Sequence, residues 1–296
     1  MNLKRAVLIY NPVAGSTKKG IVDQIKSCFS DIDLQAWPTT AEPGSATKLA
    51  GEAVVQGYDL VIVCGGDETV RSVAVALRGT STPMAAYPGG TGNLFARSYN
   101  PVPSPERFAK MVRSGEPQPI DMIELEYNTT EGKTVNGLFM VALGLGGVSD
   151  AISGASSRWK RLFGQLTYVV RVTLACLLPN KRRFLVSDSR NVTDVFVLNA
   201  APPSMAKLSR GCSASDGYID VVTLRCTNVI SYLTAVAWLS IGRPESSKYY
   251  NRVRVKELTV KTASPVRPNV DGDPWAATNE LRMRIVPSAV NIILSH

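Results

Sequence analysis

The sequence predicts an α/β N-terminal domain built on a parallel sheet, followed by a C-terminal antiparallel β-sandwich domain, and three observations carry that expectation. Apolar strand-like runs alternate with helical segments up to about Ile120, three of those runs end in glycine-rich turns, and regularly spaced alternating segments take over from Asp121. A chain of 296 residues exceeds the usual single-domain length. Two domains are therefore expected, 1–121 and 122–296, with the last strand a candidate to return to the first.

The first strand, Ala6–Tyr10, ends in Asn11-Pro12-Val13-Ala14-Gly15, and a helix should run from Lys18 to Phe29. A second helix, Ser45–Gln56, puts Ala46, Leu49, Ala53 and Val54 on one face. The run Val61 to Cys64 enters Gly65-Gly66-Asp67-Glu68-Thr69, with a helix over Glu68–Leu77. Met84–Tyr87 ends in Pro88-Gly89-Gly90-Thr91-Gly92-Asn93, with a further helix from Leu94 to Ser98. Prolines at 101–105 and 117–119 punctuate the exit from this domain. Strands are then expected at Met122–Tyr127, Arg183–Ser187, Asp194–Leu198, Tyr218–Leu224, Arg254–Lys261 and Leu281–Val286. Gly144–Gly147 reads as a flexible strand end, and Leu162–Leu178 and Ile230–Ile241 as apolar helices.

A buried strand that runs into glycines presents bare backbone at its carboxyl end, where the N–H groups of the following helix face an anion. In a parallel sheet, three such ends converge on one crevice. The expected site is for a nucleotide phosphate, with Asp67 able to hold a divalent cation or orient a hydroxyl.

Composition narrows the function further. The only histidine is His296, which excludes imidazole catalysis and histidine-based zinc sites, so proton transfer must rely on carboxylates. Five cysteines without metal-ligand spacing read as reduced thiols. The net charge of +9 is dispersed and accompanied by no nucleic-acid motif, so no nucleic-acid partner is expected. Arg158-Trp159-Lys160-Arg161-Leu162-Phe163 mixes cations with aromatic rings and suits a peripheral membrane surface. The longest apolar stretch, Leu162–Leu178, is interrupted by Gly164, Gln165 and Arg171 and falls short of a bilayer span. A cytoplasmic protein is expected, peripherally associated with the membrane, and edge strands of the second domain could pair two copies into a homodimer.

With these motifs in place, the chain resembles the diacylglycerol kinase catalytic-domain family, which includes bacterial lipid kinases and sphingosine kinases. The family's NPxxG, GGDGT and PxGTxN turns stand here, in order, as Asn11–Gly15, Gly65–Thr69 and Pro88–Asn93. Thr40 to Gly44, Ser215 to Asp220 and Asn269 to Asp273 look like three further family segments, the last two its DGxLD and DGE. The resemblance implies an N-terminal domain of NAD kinase and phosphofructokinase type and an ATP-dependent lipid kinase using Mg²⁺. Its substrate would be diacylglycerol or a related long-chain lipid. The nucleotide would be bound by Asn11, Pro12, Val13, Ala14, Gly15, Thr40, Gly65, Gly66, Asp67, Glu68, Thr69, Gly90, Thr91 and Asn93, with Lys18 or Lys19 offsetting phosphate charge. It further implies Asp273 as catalytic base with Asp67 as its rival, a structural metal at Asp216 and the Tyr218 carbonyl, and apolar helices that could line an acyl-chain pocket.

Three residues depart from the family pattern. Glu68 replaces the third glycine of GGDGT and brings a carboxylate toward the donor phosphates. Asp273 is one methylene shorter than the usual glutamate, and Ser213 stands where the structural metal site has an acid. A soluble-metabolite kinase of NAD kinase or phosphofructokinase type, and a catalytically silent nucleotide- or lipid-binding protein, are the alternative functions.

Overall fold

The computed structural model describes residues 3–15, 19–99, 104–147, 183–186, 189–201 and 205–294. Lys18, the Arg158–Phe163 segment, the helix expected at Leu162–Leu178, Cys176 and His296 lie outside the described residues. The chain divides into two compact units, and it passes between them within two long strands and again on either side of Ala214–Asp216.

The first unit comprises Met1–Met122, Ala214–Asp216 and Val286–His296. Its strands β1 (Arg5–Tyr10), β2 (Asp33–Pro38), β3 (Leu60–Gly65) and β4 (Met84–Pro88) are parallel, in the order β2-β1-β3-β4. Every residue of β3 is buried, as expected of a central parallel strand covered on both faces. Helices α1 (Lys19–Cys28), α2 (Ser45–Val55), α3 (Asp67–Leu77) and α4 (Leu94–Tyr99) follow the strands in turn. A fifth, α5 (Pro105–Ser114), was hidden in the proline punctuation. Its start is nevertheless written locally, because Ser104 caps the helix by accepting the Arg107 N–H and Pro105 occupies the first turn. Phe108 of α5 meets Phe29 and Tyr87 edge to face, at ring-centroid distances of 6.3 and 5.4 Å, joining α1 and α5 over the sheet.

The last strand, numbered β16 (Thr278–Ile293), extends well past the expected end at Val286. Ile292 pairs in parallel with Met84 of β4, and the Gly79 N–H donates to Ala289 O at 3.0 Å. Buried Asp121 accepts the Ser288 N–H at 2.8 Å.

The second unit, Ile123–Ser213 and Gly217–Ile285, is an antiparallel sandwich. One sheet runs β12-β11-β10-β7-β14-β15, from β7 (Ala142–Gly146), β10 (Asp194–Leu198), β11 (Ile219–Leu224), β12 (Tyr250–Val255), β14 (Asn269–Val270) and β15 (Asp273–Pro274). The facing strands are β5 (Pro117–Asn128), β6 (Thr134–Phe139), β8 (Phe184–Val186), β9 (Ser189–Val192), β13 (Glu257–Val266) and β16. Leu143, Val195, Val197 and Val221 of the first sheet share a core with Ile123, Leu125, Val260 and Leu281 of the second. Helix α6 (Val229–Ser240) follows β11.

One expectation is corrected here. The alternating run Arg254–Lys261 is not one strand, because β12 ends at Val255 and β13 begins at Glu257. The chain changes sheets at Lys256, whose carbonyl accepts the Ile285 N–H at 2.9 Å. Period-2 alternation continues through that step and so conceals it. The glycines at 144 and 146 lie at the end of β7, where a strand end was expected, and Gly146, at φ 108°, lets the Thr193 carbonyl approach where a Cβ would stand.

In β11, the Asp220 side chain is 1% exposed and meets Arg252 of β12 at 2.6 Å, while the same guanidinium donates to Arg210 O at 2.6 Å. Removing the cation would strand a buried carboxylate. Arg252→Met is therefore expected to cost about 3–5 kcal/mol, measured by urea denaturation, and to cost far less in an Asp220→Leu background.

Candidate functional site

Strand order β2-β1-β3-β4 places the topological switch between β1 and β3, and an α/β sheet binds ligands beyond the carboxyl ends of its strands at such a point. Because these strands are parallel, the turns after Tyr10, Pro38, Gly65 and Pro88 all emerge on one edge.

Short hydrogen bonds tie the turns together. The Asn11 N–H donates to Cys64 O at 3.0 Å, the Thr39 N–H to Tyr10 O at 2.8 Å and the Gly89 N–H to Gly65 O at 3.0 Å. After β1, Asn11 Oδ1 accepts the Val13 N–H at 3.0 Å and Asn11 O accepts the Ala14 N–H at 3.2 Å, so Asn11–Ala14 forms a tight, side-chain-closed turn. Pro12, Val13 and Gly15 are exposed, while Asn11 and Ala14 are half-buried. After β2, exposed Thr40 donates its N–H to Ser45 Oγ at 2.9 Å, and its hydroxyl accepts the Glu42 N–H at 3.3 Å. That pair leads the chain into α2.

The turns after β3 and β4 approach so closely that no side chain fits between them. A Cβ on Gly90 would stand 2.6 Å from the Gly66 Cα, backbone against backbone. Asn93 holds the second turn in the left-handed region at φ 48°, accepting the Gly90 N–H at 2.7 Å and donating to Gly90 O at 2.8 Å. A Cβ on Gly15 would lie 3.4 Å from the Thr91 hydroxyl, so the turn after β1 borders this pair. The structure thus brings the predicted residues 11–15, 65–69 and 90–93 to one place.

Within this cluster, Thr69 is buried and turned over Gly65, whereas Thr91 is exposed. Glu68 is exposed in the first turn of α3. Asp67 bridges two turns: its Oδ1 accepts the Phe95 N–H at 2.9 Å, capping α4, and its Oδ2 faces Gly92. Burial pushes the Asp67 carboxyl above the usual range, opposed by the Phe95 and Leu94 N–H groups and by Arg71 and Arg97.

The second unit holds Asp273. The hairpin β14–β15 closes through Asp271 and Gly272, both at positive φ, 49° and 94°, as a two-residue turn demands. Asp271 was read in the sequence only as part of a motif, but the structure gives it a heavy task. Its carboxylate is buried and accepts the N–H groups of Met140, Val141 and Ala142 at 3.1, 3.0 and 3.0 Å. This fixes the hairpin to β7 and with it the half-buried Asp273 on β15. The Asp-Gly pair signalled the turn; nothing in the sequence signalled the three N–H partners, which lie about 130 residues away.

The proposed structural metal ligands fare differently. Asp216 is grouped with the first unit and Tyr218 with the second, and the exposed Tyr218 ring carries Arg254 and Lys256 at 4.8 and 5.6 Å from its centroid, contacts that do not involve the carbonyl. No cluster of three or more His, Cys, Asp or Glu side chains assembles among the described residues, and Asp220 is committed to Arg252.

Residues 5–125 match the family model described as the diacylglycerol kinase catalytic domain. That segment belongs to the diacylglycerol kinase catalytic-domain family. The diacylglycerol kinase of Bacillus subtilis is 25% identical over 285 residues, covering 92% of this chain and 90% of that protein. A crystal structure of a diacylglycerol kinase from Bacillus anthracis superposes with a TM-score of 0.66 at 18% identity, covering 99% of this chain and 98% of that one. Yeast NADH kinase, solved with NADH, gives a TM-score of 0.54 at 15% identity, covering 100% of this chain and 85% of its own. These two likenesses establish the fold, an α/β unit of NAD kinase type joined to an antiparallel one. Among the described residues no helix is long and apolar enough to cross a membrane. No disulfide joins Cys28, Cys64, Cys212 or Cys226.

The raised Asp67 pKa in this diacylglycerol kinase catalytic domain gives a stability test. A carboxyl whose pKa is higher folded than unfolded contributes fully below the ordinary carboxylate range and loses that contribution as pH rises through the folded value. Asn keeps the acceptor for Phe95 and does not titrate. Asp67→Asn should therefore gain on the wild type as pH climbs from 4 to 8, read by thermal melts in chelator; a gap that closes with pH contradicts the burial argument.

Proposed function

We propose that this protein is a lipid kinase that transfers the γ-phosphate of ATP to a hydroxyl of diacylglycerol or a related long-chain lipid. The observation that carries the proposal is the convergence of three glycine-rich turns at the switch point of a parallel sheet, pinned to one another by backbone hydrogen bonds. The family match and the diacylglycerol kinase named in Bacillus subtilis support the lipid acceptor.

In this proposal the N–H groups at the start of α3 and in the 88–93 turn receive the phosphates, with the exposed Thr91 hydroxyl beside them. Asp67 Oδ2 and the exposed Glu68 are hard oxygen donors suited to Mg²⁺ shared with phosphate oxygens, and when bound that ion would offset the charge of the transferring group. Glu68 makes the site depend on the cation, because an uncompensated carboxylate there repels polyphosphate. Asp273 accepts the proton of the attacking hydroxyl, and Asp271 is its positioning residue. Asp67 is less suited to that duty while one of its oxygens caps α4.

A panel of lipid and water-soluble alcohols, offered with ATP, GTP and pyrophosphate, tests the assignment. Phosphorylation of diacylglycerol or another long-chain lipid by ATP supports it; transfer only to soluble alcohols, or to none, overturns it. Asp273→Asn should lower turnover by on the order of 10²-fold or more with nucleotide affinity and melting temperature preserved. Gly90→Ala should weaken ATP binding, measured by calorimetry, because the two phosphate turns must separate to admit one methyl group.

A further inference from the structure

Helix α6 carries no charged residue along Val229–Ser240. Its inward side is settled: Tyr232 donates its hydroxyl to Asp194 Oδ2 at 2.6 Å, and Tyr232 and Ala235 pack with buried Cys226. Burial and the neighbouring Asp194 carboxylate both push the Tyr232 hydroxyl far up, so it stays a donor. The start of the helix is equally fixed, since Asn228 and Ser231 cap each other reciprocally.

On the opposite side, Ile230, Leu233, Ala237 and Ile241 follow at i, i+3, i+7 and i+11, and Val236 flanks them. Ile230 is 73% exposed, Leu233 55% and Ile241 66%. A helix face left to water is normally polar, and a contiguous apolar stripe marks a surface that meets something else.

What it meets is indicated by charge. Lys207 donates from Nζ to Ser240 O at 2.8 Å, the Arg210 guanidinium lies against Gly242, and exposed Arg243 follows two residues after Ile241. Three cations thus gather where the stripe ends, and residues 229–243 contain no Asp or Glu. A second copy of the same surface would offer these three cations a single nearby acid, exposed Glu245. An anionic bilayer offers both phases at once, acyl chains for the stripe and phosphates for the cations.

We propose that the outward face of α6 is a membrane-docking surface, lying in the plane of an anionic lipid interface with Lys207, Arg210 and Arg243 at headgroup depth. This docking does not depend on phosphoryl transfer, and its test uses no nucleotide. A failed kinase assay and a failed docking assay are therefore separate results.

The full chain is sedimented with sucrose-loaded vesicles of phosphatidylcholine alone or mixed equally with phosphatidylglycerol. Binding to the mixed vesicles is expected, weakening with salt. Ile230→Ser combined with Leu233→Ser should cut partitioning by about tenfold or more. Arg210→Gln combined with Arg243→Gln should cut it by about 25-fold at low salt and flatten the salt dependence. Melting temperatures check that each variant folds. Hydrogen exchange on the wild type gives a reading free of mutation: residues 229–241 should gain protection when anionic vesicles are added. Absence of vesicle binding, binding unaffected by both double variants, no gain of protection in α6, or a dimer in ultracentrifugation that Ile230→Ser/Leu233→Ser abolishes without any vesicle binding would each overturn the proposal.

Discussion

The backbone contact between Gly66 and Gly90 is the constraint on which the candidate site depends. Two strands of a parallel sheet end side by side, and the chain must leave both without side chains in order to pass. The consequence is a floor of N–H groups at the start of α3 and a turn that Asn93 holds by bonding back to Gly90. Everything nearby conforms to that floor: Asn11 is hydrogen-bonded to the end of β3, Thr69 folds inward over Gly65, and Asp67 reaches across to α4. A site made of main chain is rigid because the sheet that supplies it is rigid.

Short acids serve as main-chain fasteners in both units. Asp67 holds the Phe95 N–H, Asp121 the Ser288 N–H, and Asp271 three successive N–H groups. Each leaves at most part of its carboxylate for a ligand. An acid within a motif is therefore not thereby a catalyst. Asp271 and Asp273 sit two residues apart, and their surroundings divide the work between them: the buried one is fully occupied with its own backbone, while the half-buried one stands at the end of the hairpin.

Much of this was legible in the chain. The three glycine-rich turns, the strands that feed them and the change from helical to alternating patterning are local signals, since each rests on periodicity or on glycine's tolerance of close approach. What stayed hidden was non-local or masked by a competing signal. Helix α5 lay under a proline run although Ser104-Pro105 spelled its start. The step between β12 and β13 preserved alternation and so looked continuous. The full length of β16 and the three partners of Asp271 depend on segments more than 100 residues distant, which no window along the sequence contains.

The route of β16 bears on how the molecule is made. Its final residues, Val286 onward, belong to the same compact unit as β1 to β4, where they lie along β4 and supply the Ser288 N–H to Asp121. A nascent chain emerging from the ribosome has the glycine turns in hand early, yet the flank of β4 stays bare and Asp121 lacks that donor until translation has nearly reached residue 293. Completion of the α/β unit thus waits on a segment made about 200 residues after β4. A chaperone has most to protect during that interval.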